Sequence, residues 1–201
     1  MKINLEELAY PLTSRETKPN KAMKEIVTPF LQGHGVQKIL DYGCGKFLRD
    51  SFYLSEKGFT VDALDLAEQI ERIDPVLIQK IHSISTNLEN KDYDAVMLNF
   101  VLQVLPTQKQ RDEVLGNALS ALKKNGYFIL SLRNKNEIDR DFYDGRGALY
   151  KDGFIMKTGK YRTFARGYTR KEMEDIIQKE GLDTIIFERT FSSFVSVNRK
   201  K

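Results

Sequence analysis

The stretch KILDYGCGKFLRDSFYLSEKGFTVDALDL, residues 38–66, constrains the fold more than any other part of the chain. The short apolar run VQKIL (36–40) leads directly into a turn carrying Gly43 and Gly45, and so reads as a buried strand. FLRDSFYLSEKG (47–58) then places Phe47, Leu48, Phe52 and Leu54 close to one face and ends on Gly58, which suits a helix, and FTVDALD (59–65) is a second strand. A strand, a glycine turn and a helix put backbone N–H groups at a helix N-terminus, where they can hold a polar or anionic ligand group. Gly43 and Gly45 let the chain turn sharply and let a ligand approach the backbone. Asp65 closes the second strand, where a carboxylate can accept hydrogen bonds from two ribose hydroxyls. A dinucleotide site would carry a third glycine at position 48; Leu48 stands there, so close contact with a pyrophosphate is not provided for.

The rest of the chain repeats the alternation. PNKAMKEIVTPFLQG (19–33) has apolar residues at helical spacing, with Gly33 and Gly35 to end it. YDAVMLNF (93–100) is a strand. QKQRDEVLGNALSALKKNG (108–126) is an amphipathic helix with Leu115, Leu119 and Leu122 on one face and Asn125-Gly126 as its stop, and YFILSL (127–132) is again a strand. KEMEDIIQKEGL (171–182) reads as a helix and DTIIFERTFSSFVSVNR (183–199) as two strands joined by a short turn. The pattern predicts an α/β, doubly wound, mostly parallel sheet closed by a C-terminal antiparallel hairpin. No linker, repeat or low-complexity run divides the 201 residues, which suffice for one domain with a substantial core.

DYGCG resembles motif I of the class I S-adenosylmethionine-dependent methyltransferases, whose pattern is (D/E)-x-G-x-G, and VDALD carries the ribose-binding acid of that family. YDAVMLNFVLQVL resembles motif IV, the fourth strand, which ends under the transferred methyl. LKKNGYFILSL resembles the L-K-P-G-G turn before the fifth strand, with Lys124 in place of the proline and Asn125 in place of a glycine. The resemblance covers 36–132 and implies a Rossmann-like, seven-stranded fold whose last two strands are the C-terminal hairpin. It implies S-adenosyl-L-methionine as cofactor, held by Asp41 at the ammonium, directly or through water, and by Gly43, Cys44, Gly45, Asp65, Leu66, Asn87 and Asn99. Thr86 or Asn87 stands where that fold places a side chain beside the adenine amine. YLSEKGFTVDALD followed by YDAVMLNFVLQVLP is similar to the small tellurite-resistance-type methyltransferases, which points to a small soft nucleophile as acceptor.

On this reading 1–35 is an N-terminal helical lid, 36–132 the cofactor-binding core, 133–170 a substrate-side insertion, and 171–201 the last helix and hairpin of one domain. The implied reaction is methyl transfer to a small polar or anionic acceptor. A methyltransferase-like module that binds or modifies nucleic acid is the alternative. Asn99, Tyr10 and Arg162 are the candidate catalytic residues, and Arg15 accompanies Tyr10 in the lid segment 10–23. Asn99 opens NFVL rather than the (D/N/S)-P-P-(Y/F) of DNA amino-methyltransferases, which disfavours base-amine methylation by that arrangement. Cys44 is the only cysteine and sits inside the turn, so it reads as small filler; a disulfide or multi-cysteine metal site is excluded, and no metal is expected. His34 and His82 read as surface or satisfied residues.

The net charge of +4 is placed unevenly: 144–171 carries eight Lys/Arg against Asp144 and Asp152. Within it, YKDGFIMKTGKYRTFARGYTRKEM (150–173) interleaves aromatic and basic residues, which suits either a substrate-facing flap or a hairpin with one packed and one solvated face. The first 20 residues lack the apolar core of a signal peptide and no run approaches membrane-spanning length, so a soluble, cytoplasmic protein without membrane contact is expected.

Overall fold

A computed structural model describes Leu8 and residues 17–89, 91–158, 161–190 and 192–201. The strands are β1 (Lys38–Tyr42), β2 (Thr60–Leu64), β3 (Ser83–Ser85), β4 (Tyr93–Asn99), β5 (Leu122–Arg133), β6 (Gly147–Tyr150), β7 (Gly153–Thr158), β8 (Tyr161–Ala165), β9 (Asp183–Arg189) and β10 (Ser193–Arg199). The helices are α1 (Thr28–Gly33), α2 (Arg49–Glu56), α3 (Ala67–Ile70), α4 (Pro75–Ile78), α5 (Gln108–Ala121), α6 (Lys135–Asp141) and α7 (Arg170–Lys179); a π-helical stretch, Met23–Val27, runs into α1.

Seven strands form one sheet in the order β3-β2-β1-β4-β5-β10-β9. β1 to β5 pair in parallel, and β10 runs antiparallel to both β5 and β9. The doubly wound sheet with its C-terminal hairpin is therefore present as the residue pattern predicts. Alternate residues of the central strands go to opposite faces, as the two-residue period of a strand requires. Leu40, Val96, Leu98, Phe128 and Leu130 pack against Leu115 and Leu119 of α5 and Met173 and Ile177 of α7. Ile39, Ala95, Met97, Ile129 and Val197 pack against Val27, Leu31 and Leu54 on the other face. Both faces are covered, so β4 is apolar almost throughout.

Two local readings are corrected. The helix predicted over 108–126 ends at Ala121; Leu122 is extended, buried and paired with Tyr93, and begins β5. The helix's last carbonyls are capped from far away in sequence: Lys200 Nζ donates to Leu119 O at 2.8 Å and Leu122 O at 2.7 Å. Asn125, at φ 62°, makes a turn inside β5 rather than a helix stop.

The insertion is a second, three-stranded antiparallel sheet, β6-β7-β8, where the sequence suggested a flap or a hairpin. It is fixed to the main body by ions. Buried Arg111 of α5 donates to Asp152 at 2.5 Å, and Arg166 pairs with Asp152 at 3.1 Å and with Glu172 at 2.6 Å. Gly167 passes so close to α6 that a Cβ there would lie 2.3 Å from Lys135 Cα. Leu8 packs on Ile155 and Phe164 and bridges β8 at Arg162, so one point of the N-terminal segment lies on this sheet. Among the described residues no helix is long and apolar enough to cross a membrane.

Candidate functional site

A cleft of about 1810 Å³ opens at the carboxyl ends of β1, β2 and β4 and is faced by β7 and β8. Asp41, Gly43, Cys44, Gly45, Asp65, Leu66 and Asn99 line it, and Thr86 and Arg162 do so as well. The ends of parallel strands whose neighbours diverge leave such a crevice by topology alone.

The glycine turn is shaped from both sides. Gly43 has φ 84°, and a Cβ there would stand 2.3 Å from Val101 Cγ2, so only glycine fits against the loop after β4. Gly45 has φ 68° and open space above it, the room a ligand needs. The turn's N–H groups are already engaged. Gly43 N and Cys44 N donate to Leu64 O at 2.7 and 3.2 Å, and Gly45 N donates to Asp65 Oδ2 at 2.6 Å. A pyrophosphate would have to compete for them, which agrees with the missing third glycine. Leu48 takes a left-handed conformation (φ 46°) at that position and is fully buried among Cys44, Phe52, Ala63 and Ile81. Packing there holds a leucine in backbone space that glycine enters more readily.

Asp41, at the end of β1, is 2% exposed and accepts from Ser51 Oγ at 2.6 Å. Burial, with the neighbouring Asp50 carboxylate adding to it, pushes its pKa up to about 7. A carboxylate so placed gains when a cation arrives. Asp65 is raised by burial, against the opposing hydrogen bonds from Gly45 N and Leu66 N. The Cys44 thiol is raised well above its usual range by burial and by the carboxylates of Asp41 and Asp65, the reverse of an activated nucleophile.

Asn99 ends β4 on the cleft wall, yet both ends of its amide are held. Its Nδ2 donates to Asp50 Oδ2 at 3.1 Å, and its Oδ1 accepts from Ser131 Oγ at 2.7 Å. Arg49 grips Asp50 through two hydrogen bonds of 2.9 and 2.8 Å. This chain of contacts ties α2, β4 and β5 under the cleft, a polar network with its members satisfied. Phe100, next in sequence, has φ 62°, and Arg49 lies over its ring. Asp50, Arg49 and Ser131 were not singled out from the sequence. Only Asp50, two residues past Leu48 in the turn, carried a local hint.

Asn87 is exposed and does not line the cleft; its carbonyl accepts from Ser85 Oγ. Tyr10 and Arg15 lie outside the described residues. His34 stacks on Phe30, and His82, just before β3, has its Nδ1 2.6 Å from Asp62 Oδ1. Arg166 does not line the cleft and is committed to the ion cluster that anchors the second sheet. Arg162 is partly exposed to the cleft, and its guanidinium makes no hydrogen bond or ion pair with a described residue. Among the described residues no three His, Cys, Asp or Glu side chains gather in a way that could hold a metal ion.

Residues 12–185 match a family model described as a methyltransferase domain. No curated protein matches the chain. Among solved structures, an S-adenosylmethionine-dependent methyltransferase from Methanosarcina mazei is 21% identical, with a TM-score of 0.68 over 86% of this chain and 97% of that one. The 1,6-didemethyltoxoflavin-N1-methyltransferase of Burkholderia thailandensis, with 1,6-didemethyltoxoflavin and S-adenosylhomocysteine bound, is 19% identical, with a TM-score of 0.63 over 90% and 80%. Magnesium protoporphyrin IX methyltransferase from Synechocystis, with S-adenosylhomocysteine bound, is 16% identical, with a TM-score of 0.65 over 90% and 83%. At such identities the structures speak for the fold, and the family model for membership: the chain belongs to the methyltransferase domain family.

Proposed function

We propose that the chain transfers a methyl group from S-adenosylmethionine to a small polar or anionic acceptor. The observation that carries the reading is the buried Asp41 carboxylate, raised to about 7, beside a glycine turn with open space over Gly45. The residues fit the cofactor. Asp41 offers its carboxylate to an ammonium, and Asp65 retains lone pairs for a ribose diol after accepting from Gly45 N and Leu66 N. Exposed Leu66 offers an apolar face beside them. When bound, S-adenosylmethionine supplies a methyl group already activated on a sulfonium. The protein's part is to align the acceptor with it and exclude water. The Asn99–Asp50–Arg49–Ser131 network keeps the cleft floor in one geometry, and a soft or anionic nucleophile needs no general base.

For the acceptor, Arg162 is the supporting feature. Arg133, which also lines the cleft, is paired with Glu137, and Arg166 with Asp152 and Glu172, which supports a local anion contact over a continuous nucleic-acid track. The likeness of 53–65 and 93–106 to the tellurite-resistance type supports soft nucleophiles as first choices. Tyr10 and Arg15 join as lid residues of 1–35 on the same proposal. Transfer from methyl-labelled cofactor should be measured to a panel of thiols, selenite, small carboxylates, DNA and RNA. Label on a small anion, lost in Arg162→Ala, is the expected result. Label on nucleic acid alone, or binding of nucleic acid with a steep salt dependence and no transfer, would establish the module instead.

A further inference from the structure

Gln69 has no explanation in the fold. It is 6% exposed, lies on α3 just after Asp65, and lines the cleft. Its Oε1 is the one buried side-chain nitrogen or oxygen among the described residues without a hydrogen-bond partner. Leaving a buried amide oxygen unpaired forfeits its hydration with no compensating bond, whereas an apolar side chain of similar size would avoid the cost. The helix does not need it: Gln69 makes no cap, and its neighbour Ile70 supplies the contact with Leu48 and Ala63. An acceptor kept at a cleft wall against that cost is accounted for by a donor that arrives with a ligand.

The strand order says which donor. Asn99, Asp41 and Asp65 stand at the ends of β4, β1 and β2, three neighbouring strands, and Thr86 follows at the end of β3. With an ammonium at Asp41 and a ribose diol at Asp65, the nucleobase extends onward over the β2–β3 side, away from Asn99. α3 leads out of β2 there. Adenine has one hydrogen-bond donor, its exocyclic amine. We infer that Gln69 Oε1 accepts a hydrogen bond from the adenine amine, which makes Gln69 the residue that reads the identity of the cofactor's base. The inference rests on the cofactor reading above and goes beyond it in naming a recognition residue that no motif marks.

The test is direct binding, not turnover. Calorimetric affinities for S-adenosylhomocysteine and for S-inosylhomocysteine, in which a carbonyl oxygen replaces the amine, are compared in the wild type, Gln69→Leu and Gln69→Glu. The wild type should prefer the adenosyl ligand by about tenfold or more, because a carbonyl facing Oε1 repels it. Gln69→Leu should bind the adenosyl ligand about tenfold more weakly and lose the preference, while its ligand-free melting temperature stays at or above that of the wild type. Gln69→Glu, which keeps an acceptor, should keep the preference. Unchanged affinity of Gln69→Leu for S-adenosylhomocysteine would overturn the assignment and leave the cofactor reading standing, as would equal weakening of both ligands. Failure of the wild type to bind either ligand would overturn both.

Discussion

On the β1–β2 wall of the cleft stand two carboxylates, Asp41 buried and Asp65 half-buried, locked to nearby backbone and side chains. Asp65 is held by Gly45 N and Leu66 N, and Asp41 by Ser51. On the facing wall, Arg162 stands on β8, the outer strand of a small sheet, with its guanidinium unengaged by described residues. The first wall is assembled within about 25 residues of sequence, so its geometry follows from local turns. The second depends on ion pairs between α5, the β6–β7 turn and α7, distant in sequence. The contrast suits the chemistry proposed. On that proposal the wall held by local hydrogen bonds would receive the cofactor, and the wall mounted on a separately attached element would meet the acceptor.

The largest effect separates the two glycines of the turn. Gly43→Val should lower stability by about 3 kcal/mol or more, combining a left-handed backbone with a clash on Val101. Gly45→Arg should cost only about 1 kcal/mol of stability, since nothing lies near its Cβ, yet abolish S-adenosylhomocysteine binding by filling the space above the turn. If Gly45→Arg binds normally, the open space over the turn is not where the ligand lies.

Next comes Asp65→Ala. Loss of a charged acceptor for the ribose diol should weaken S-adenosylhomocysteine by about 1.5–3 kcal/mol, measured by calorimetry. An unchanged affinity would reduce Asp65 to a fastener of the turn through its bond to Gly45 N.

A subtler effect sets the two arginines of the insertion apart. Arg166→Ala should lower the unfolding free energy by about 1–2 kcal/mol, because it removes two ion pairs and leaves Asp152 to Arg111 alone. Arg162→Ala should leave the melting temperature and cofactor affinity unchanged and reduce turnover with an anionic acceptor. Equal behaviour of the two variants would erase the distinction between strut and contact. Their chemistry and spacing in KYRTFARGY are alike, and the sequence offered no means of telling them apart.

What could be read from the residues follows the same division. The glycine turn and Asp65 depend on contacts close in sequence, and the local pattern announced them together with β1, α2, β2 and β4; α3, α4 and β3, short elements between residues 67 and 85, carried no such pattern. The end of α5 did not: Asn125-Gly126 is a strong local stop, but burial of Leu122 against Tyr93 and capping by Lys200 decide the boundary four residues earlier. The second sheet was read as a flap or hairpin because alternation in 150–173 is equally served by two strands or three. The Asn99 amide looked available from its position at a strand end; that Asp50 and Ser131 already hold it is a fact of three-dimensional neighbourhood. Gln69 carries no local signal at all, since an unpaired buried oxygen exists only once the fold has closed around it.

On the function proposed, Asp41 receives the ammonium of a sulfonium cofactor, and its pKa, raised to about 7 by burial, gives that contact a pH signature. For the ligand-free protein the sign is unfavourable to the charged form. The folded pKa lies above the unfolded value near 4, so this group's contribution to stability is complete below about pH 4 and is lost as pH rises through 7. Asp41→Asn should therefore raise stability at pH 8 by about 1–3 kcal/mol while removing the ammonium contact. Binding runs the other way: the ammonium needs the carboxylate ionised, so affinity should fall by about tenfold from pH 8 to pH 6, with proton release near pH 7. Calorimetry of the wild type and Asp41→Asn with S-adenosylhomocysteine at pH 8 and pH 6, with NADH as the competing ligand, is the direct measurement. Binding of S-adenosylhomocysteine alone is expected, about tenfold tighter at pH 8 in the wild type and lacking that pH step in Asp41→Asn. Binding of NADH in its place, or an identical pH profile in the two proteins, would contradict it.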